Sequence, residues 1–264
     1  MGLKLTPQGL LVYLTMAGMA GAFFAYLSGA RRVGRAIFGG AFLAGVAALG
    51  WRTYHTGHAP LKNMFDVFLF LGVICFPGSM FCRYVLKTGG ETHDPALGFL
   101  LLFPVGFVFS AQPEKLPPAL QHWLWIPHVA AYMLAYLVMF KAALEATTHL
   151  LKADPLAEDR PGLEHEKSAY RLVLVGFPLL TLGLLLGAWW GKIAWGDYWN
   201  WDPKELWSLA GWLVYVGYLH FRSIYGRRYA RVNSTLAVFG ALVIVITLLW
   251  VNLSRVFSGL HSYA

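Results

Sequence analysis

The sequence predicts an all-α fold: a polytopic membrane helix bundle of about eight transmembrane helices, with both termini on the outer (periplasmic or lumenal) side. Three observations carry this expectation. Hydrophobic residues make up 58% of the 264 residues and charged residues only 13%, about half the soluble average of roughly 25%, and mean hydropathy is +0.54. Apolar runs long enough to cross a bilayer recur along the whole chain. The segments between them alternate in positive charge. Such a composition excludes a disordered chain, a soluble globular enzyme and a coiled coil. A spanning barrel would need alternating strands, and alternation is absent. The net charge of +8 reads as loop bias in a membrane protein rather than as a nucleic-acid footprint.

A helix needs about 20 apolar residues to cross a hydrocarbon core of roughly 30 Å. The runs fall at 8–28, 36–54, 64–84, 95–110, 127–150, 170–190, 205–225 and 232–254. In the first, the basic pair Arg31-Arg32 follows the apolar stretch instead of preceding it, which predicts a retained helix and not a cleaved signal. The fourth is short and interrupted by Pro104. Lys and Arg crowd segments 29–35, 83–94, 151–171 and 222–231 and thin out in the alternate set, so the first set is expected in the cytoplasm. Segment 151–169, with Asp154-Pro155 and Arg160-Pro161-Gly162, reads as a solvated linker. The expectation is a single membrane domain over 1–264 with an external Trp-rich loop at 189–207. The expected location is a bacterial plasma membrane, or a thylakoid membrane if the chain is plastidial.

The two cysteines, Cys75 and Cys82, share the third run. Seven residues of helix separate them by about 10 Å, too far for a disulfide. No C-x-x-C or C-x-x-C-H occurs, so the chain carries neither a redox thiol pair nor covalent haem of its own.

Most of the 11 Trp lie between Trp189 and Trp212, around Trp195-Gly196-Asp197-Tyr198-Trp199-Asn200-Trp201-Asp202-Pro203-Lys204-Glu205-Leu206-Trp207. An interfacial aromatic belt explains one or two Trp per helix end. It does not explain Trp195, Trp199 and Trp201 gathered in a non-helical connection with Gly196. Several flat, polarisable faces suit a large planar apolar ligand at the membrane edge. Asp202-Pro203-Lys204-Glu205 is also a helix start, with Asp at N-cap, Pro at N1 and Glu at N3, and it aims the loop above the seventh helix.

This run resembles the "WWD" signature of haem-handling proteins of cytochrome c maturation. The D-P-K-E-x-W continuation, Tyr218-Leu219-His220-x-Arg222, Gly259-Leu260-His261-Ser262-Tyr263, Gly57-His58-Ala59-Pro60 with Asn63, and Trp123-Leu124 before His128-Val129 are similar to the CcsA/ResC type (system II). The resemblance runs in order over nearly the whole chain. It departs at Phe65-Asp66, where Tyr-Glu is expected, and at Lys192-Ile193.

The resemblance implies a haem-handling component of a cytochrome c synthase. His128 and His261, flanking the Trp loop, are the expected ligands of external haem, and His220 a ligand of haem held within the membrane. His220 lies 15 residues beyond Glu205, about 22 Å along a helix, where an ionisable side chain is costly and points to function. Trp195, Trp199, Trp201 and Asp202 are the expected haem-binding platform. Haem b is expected as bound substrate. The expected partners are a CcsB/ResB-type membrane subunit, supplying the second ligand opposite His220, and apocytochrome c, whose C-x-x-C-H cysteines take haem through thioether bonds.

His58 reads as structural or as a minor haem contact, and His55 and His122 as external. His93, His149 and His165 read as solvated. Arg222 is expected to reach the cytoplasmic surface or a propionate, and Lys62, Lys192, Lys204 and Arg255 are the available external cations. A haem exporter or delivery protein without ligase activity, an integral b-type electron-transfer subunit and a scaffold for the partner remain alternatives.

Overall fold

In the computed structural model, residues 5–152, 163–250 and Leu260 are described, and among them there is no strand. The described residues form eight α-helices. They fall into two compact units, one of residues 1–85 and 90–121, the other of 86–89 and 122–264.

The first unit holds α1 (Pro7–Leu27), α2 (Arg31–Thr56), α3 (Met64–Phe81) and α4 (Asp94–Phe107). The starts are written locally. Thr6 caps α1 by accepting from Gly9 N at 3.1 Å, with Pro7 at N1. Asn63 caps α3 by accepting from Asp66 N at 3.0 Å. Gly57 closes α2 in the left-handed region at φ 71°, where a Cβ is penalised. Packing is by close approach of small residues, as membrane helices require when lipid offers no hydrophobic drive. A Cβ on Gly18 would lie 2.8 Å from that of Ala41, and one on Gly45 would lie 2.5 Å from Val73.

One charged pair sits inside this unit. Arg52 Nε donates to Asp66 Oδ1 at 2.8 Å, with side chains 3% and 0% exposed. The guanidinium also donates to the carbonyls of Ala111 and Gln112, and Asp66 accepts from Lys62 N. An unpaired charge here would cost several kcal/mol, and these bonds tie segments 57–63 and 108–117 together. Asp66 is therefore a structural carboxylate, whose short side chain meets Arg52 at the departure noted above.

The second unit holds α5 (Trp125–Lys152), α6 (Leu163–Trp195), α7 (Pro203–Tyr225) and α8 (Ala230–Val245), the last continued by a π-helical turn over Ile246–Trp250. α5 and α6 form its most extensive contact, α8 packs on α5, and α7 packs on α8. The cap at α7 forms as the sequence predicts: Lys204 N donates to Asp202 Oδ1 at 2.9 Å, and Asp202 N donates to Glu205 Oε2 at 3.1 Å.

Among the described residues, six helices are long and apolar enough to cross a membrane: α1, α2, α3 with its π-helical extension to Leu86, α5, α6, and α8 with its π-helical turn. α4, with 14 residues, rises only about 21 Å. α7 is long enough, but Trp, Tyr, Ser, Gly and His dilute its apolar character. The chain is a multi-pass membrane protein.

Candidate functional site

At one end of the second unit, the start of α5, the end of α6 and the start of α7 carry the residues that the sequence singles out. α6 runs to Trp195, so the non-helical part of segment 189–207 is confined to 196–202, and Trp195 is the last helical residue rather than a loop residue. The helix runs on through Gly191. Gly196, at φ 93°, is the first residue that must leave.

His128 lies one turn into α5. Its Nδ1 is 2.9 Å from the carbonyl oxygen of Gly183 on α6. A carbonyl can only accept, so Nδ1 carries the proton, and in the neutral ring Nε2 carries the lone pair. The imidazole stacks on Trp190, with ring centres 5.7 Å apart and planes at 17°. Tyr132 meets it edge-on at 5.3 Å. Trp190, only 2% exposed, in turn takes Trp195 edge to face at 4.7 Å. His128, Trp190 and Trp195 thus form one contiguous aromatic assembly. Nothing in the sequence separates Trp190 from its neighbour Trp189, but Trp190 is buried and Trp189 is exposed.

Trp199 and Trp201 make their own pair, centres 6.2 Å apart at 88°. Trp201 has a left-handed backbone, φ 55°, and its indole is 68% exposed. A bulky residue held there costs roughly 1–3 kcal/mol and marks a constrained turn. The capping box supplies the constraint, because Glu205 also accepts from Asn200 N at 2.8 Å. The Asp202 carboxylate serves this cap.

The candidate cations are not equivalent. Lys62 is paired with Glu114 at 2.5 Å, in the first unit. Lys192 donates to the Gly196 carbonyl and lies over the Tyr198 ring at 5.6 Å. Lys204 is pulled down to about 8 by burial, against the attraction of Asp202. Arg255 and His261 lie outside the described residues. His58 sits with its ring nitrogens against the carbonyls of Ala59 and Glu114, which is the structural reading.

At the opposite end of this unit two expectations are corrected. His149 is not solvated, and His165 is half-buried and paired. His149 is buried and its Nδ1 is 2.8 Å from Ser234 Oγ, while His165 binds Glu145 at 2.8 Å. Arg222 turns inward: its Nε donates at 2.6 Å to the buried Glu166, which also accepts from Asn233. A surface-loop reading fails here because α6 starts at Leu163 and carries Glu166 into the bundle. His220 is exposed, and its Nδ1–H donates to the Val216 carbonyl at 2.9 Å. It shares one outward face of α7 with the exposed Leu206, Leu213 and Ile224.

The fold and this end of the second unit define a multi-pass helical membrane protein with a histidine and an aromatic cluster gathered at one helix end. Residues 38–261 match the family model described as "Cytochrome C assembly protein", and the chain belongs to that family. It is 35% identical over 224 residues to the cytochrome c biogenesis protein CcsA of Chlamydomonas reinhardtii, covering 79% of this chain but only 62% of that protein. It is 32% identical over 257 residues to the CcsA of Prochlorococcus marinus strain MIT 9313, covering 82% of this chain and 79% of the relative. With the CcsA of Guillardia theta it shares 33% identity over 249 residues, covering 81% and 80%.

Proposed function

We propose that this chain is the haem-handling component of a cytochrome c synthase. It holds haem b, as bound substrate, at the outer membrane face, between His128 and His261 and against the Trp assembly. The observation that carries this reading is the state of His128: its Nδ1–H is committed to the Gly183 carbonyl, so in the neutral ring the nitrogen with the lone pair is Nε2, and the ring stacks on Trp190. Among the described residues no three His, Cys, Asp or Glu side chains converge as a metal site. Iron held here as a porphyrin would take axial imidazoles from the protein.

His220 receives haem deeper in the membrane. Its outward position on α7 suits a second ligand from a CcsB/ResB-type subunit. At the outer site the protein positions the porphyrin for the C-x-x-C-H cysteines of apocytochrome c. Each thiol adds across one vinyl group, sulfur bonding to one carbon and the proton going to the other, so no net electron transfer is needed. The incoming histidine of that motif then replaces a protein imidazole. Both chain termini lie on the outer side in this arrangement.

The test is spectroscopic. The full chain, purified from membranes with its partner, should show a low-spin bis-imidazole haem spectrum. His128→Ala should lose or weaken that signal and abolish cytochrome c maturation, and His220→Ala should reduce haem loading. Unchanged haem and maturation in His128→Ala would refute the site. Haem movement that needs no C-x-x-C-H acceptor would make the chain an exporter.

A further inference from the structure

The surface of α6 that faces His128 is shaped by what it lacks. A Cβ on Gly187 would lie 2.5 Å from Cε1 and 2.8 Å from Nδ1 of His128, closer than any side chain tolerates, and the atoms it would strike belong to a stiff ring. One turn back, a Cβ on Gly183 would lie 2.9 Å from the Tyr132 ring. The Gly183 carbonyl, beyond its helical bond, has a second lone pair, and it accepts from His128 Nδ1. Trp190, three residues past Gly187, covers one face of the imidazole. Floor, acceptor and wall come from residues 183, 187 and 190, which lie three to four apart and so share one helix face.

We propose that Gly183, Gly187 and Trp190 form an imidazole-shaped notch on α6 that fixes the tautomer and plane of His128, making them positioning residues for the iron-bound porphyrin. This rests on the reading of His128 as a haem ligand. The bulkless floor lets the ring come close enough to reach the carbonyl. The bonded Nδ1–H strengthens Nε2 as a donor, which favours ferric iron and holds the reduction potential low. The indole stack sets the ring plane, and with it the rotation of the axial ligand over the porphyrin. A methyl group at position 187 forces the ring outward, breaks the bond to Gly183 and tilts the donor.

The experiment replaces the ring by free imidazole. In His128→Gly, with the full chain and partner, the vacated notch should accept imidazole from solution and regain the low-spin spectrum. In His128→Gly/Gly187→Ala the new methyl group occupies the vacated space, so the fold is not strained, but the notch is filled. That variant should need at least about tenfold more imidazole. Gly211→Ala, where a Cβ makes only an ordinary 3.6 Å contact with Val243, should leave the imidazole requirement of His128→Gly unchanged. In the otherwise native chain, Gly187→Ala should move the haem potential positive. Equal imidazole requirements with and without Gly187→Ala, or recovery in neither, would overturn the notch while leaving His128 as ligand. A native low-spin spectrum in His128→Gly without imidazole would instead overturn the ligand assignment itself.

Discussion

The ammonium group of Lys204 stands at the first turn of α7, and its burial lowers the pKa to about 8 against the pull of Asp202, compared with roughly 10.4 for a free lysine. The sign is that of a group disfavoured in its charged form. Lys204 loses its charge as pH rises through about 8, and any attraction it offers to a carboxylate such as a propionate is lost with it. Competitive labelling with an amine reagent should place the Lys204 midpoint near pH 8. Haem retention should weaken over the same range in the native chain, and Lys204→Gln should abolish that dependence. Lys204 was legible only as one cation among four, because burial of a side-chain end is not a sequence property. His149 and His165 show the same gap: next to charged segments they read as solvated, yet Ser234 and Glu145 hold them.

Two devices set the geometry of α7. At its start, the reciprocal bonds of Asp202 and Glu205 fix the turn that carries Trp201. Asp202→Ala should cost roughly 1 kcal/mol of stability and loosen haem retention, and Asp202→Asn should keep most of the stability. Thermal denaturation in detergent read beside the haem spectrum separates the two effects. At its far end, Arg222 pairs with Glu166, whose side chain is 1% exposed. Arg222→Leu leaves a buried carboxylate without its guanidinium and should destabilise by about 3–5 kcal/mol, and the double replacement Glu166→Leu/Arg222→Met should recover most of that loss. The same melting curves decide it. The capping box was readable because a cap is a four-residue pattern. The Glu166–Arg222 pair was not, because its partners are 56 residues apart.

For the whole chain, the alternation of basic segments predicts an orientation, with segments 29–35 and 222–231 in the cytoplasm. Single cysteines introduced at Arg32 and Arg227 should react with an impermeant thiol reagent only from the cytoplasmic side of membrane vesicles, and those at Lys115 and Tyr198 only from the outer side. The native Cys75 and Cys82 are buried and should add little background. Reaction of both sets from one side would refute the topology. Composition made the membrane class plain, since a chain this apolar has no soluble solution. It did not fix the length of each helix: α4 ends after Phe107, three residues beyond Pro104, and is the shortest of the described α-helices.

By itself the sequence determined the solvent this protein lives in, the helices, the cap that starts α7 and the Trp-rich segment with its attendant histidines, because hydropathy, capping and local motifs act over fewer than about 20 contiguous residues. Only the tertiary structure decided which nitrogen of His128 holds a proton, that Trp190 rather than a loop indole lies against it, and that Arg222 turns inward to Glu166. Those choices depend on which faces of α5, α6, α7 and α8 meet, and a glycine's value as a notch exists only when a neighbouring helix supplies the ring that fills it.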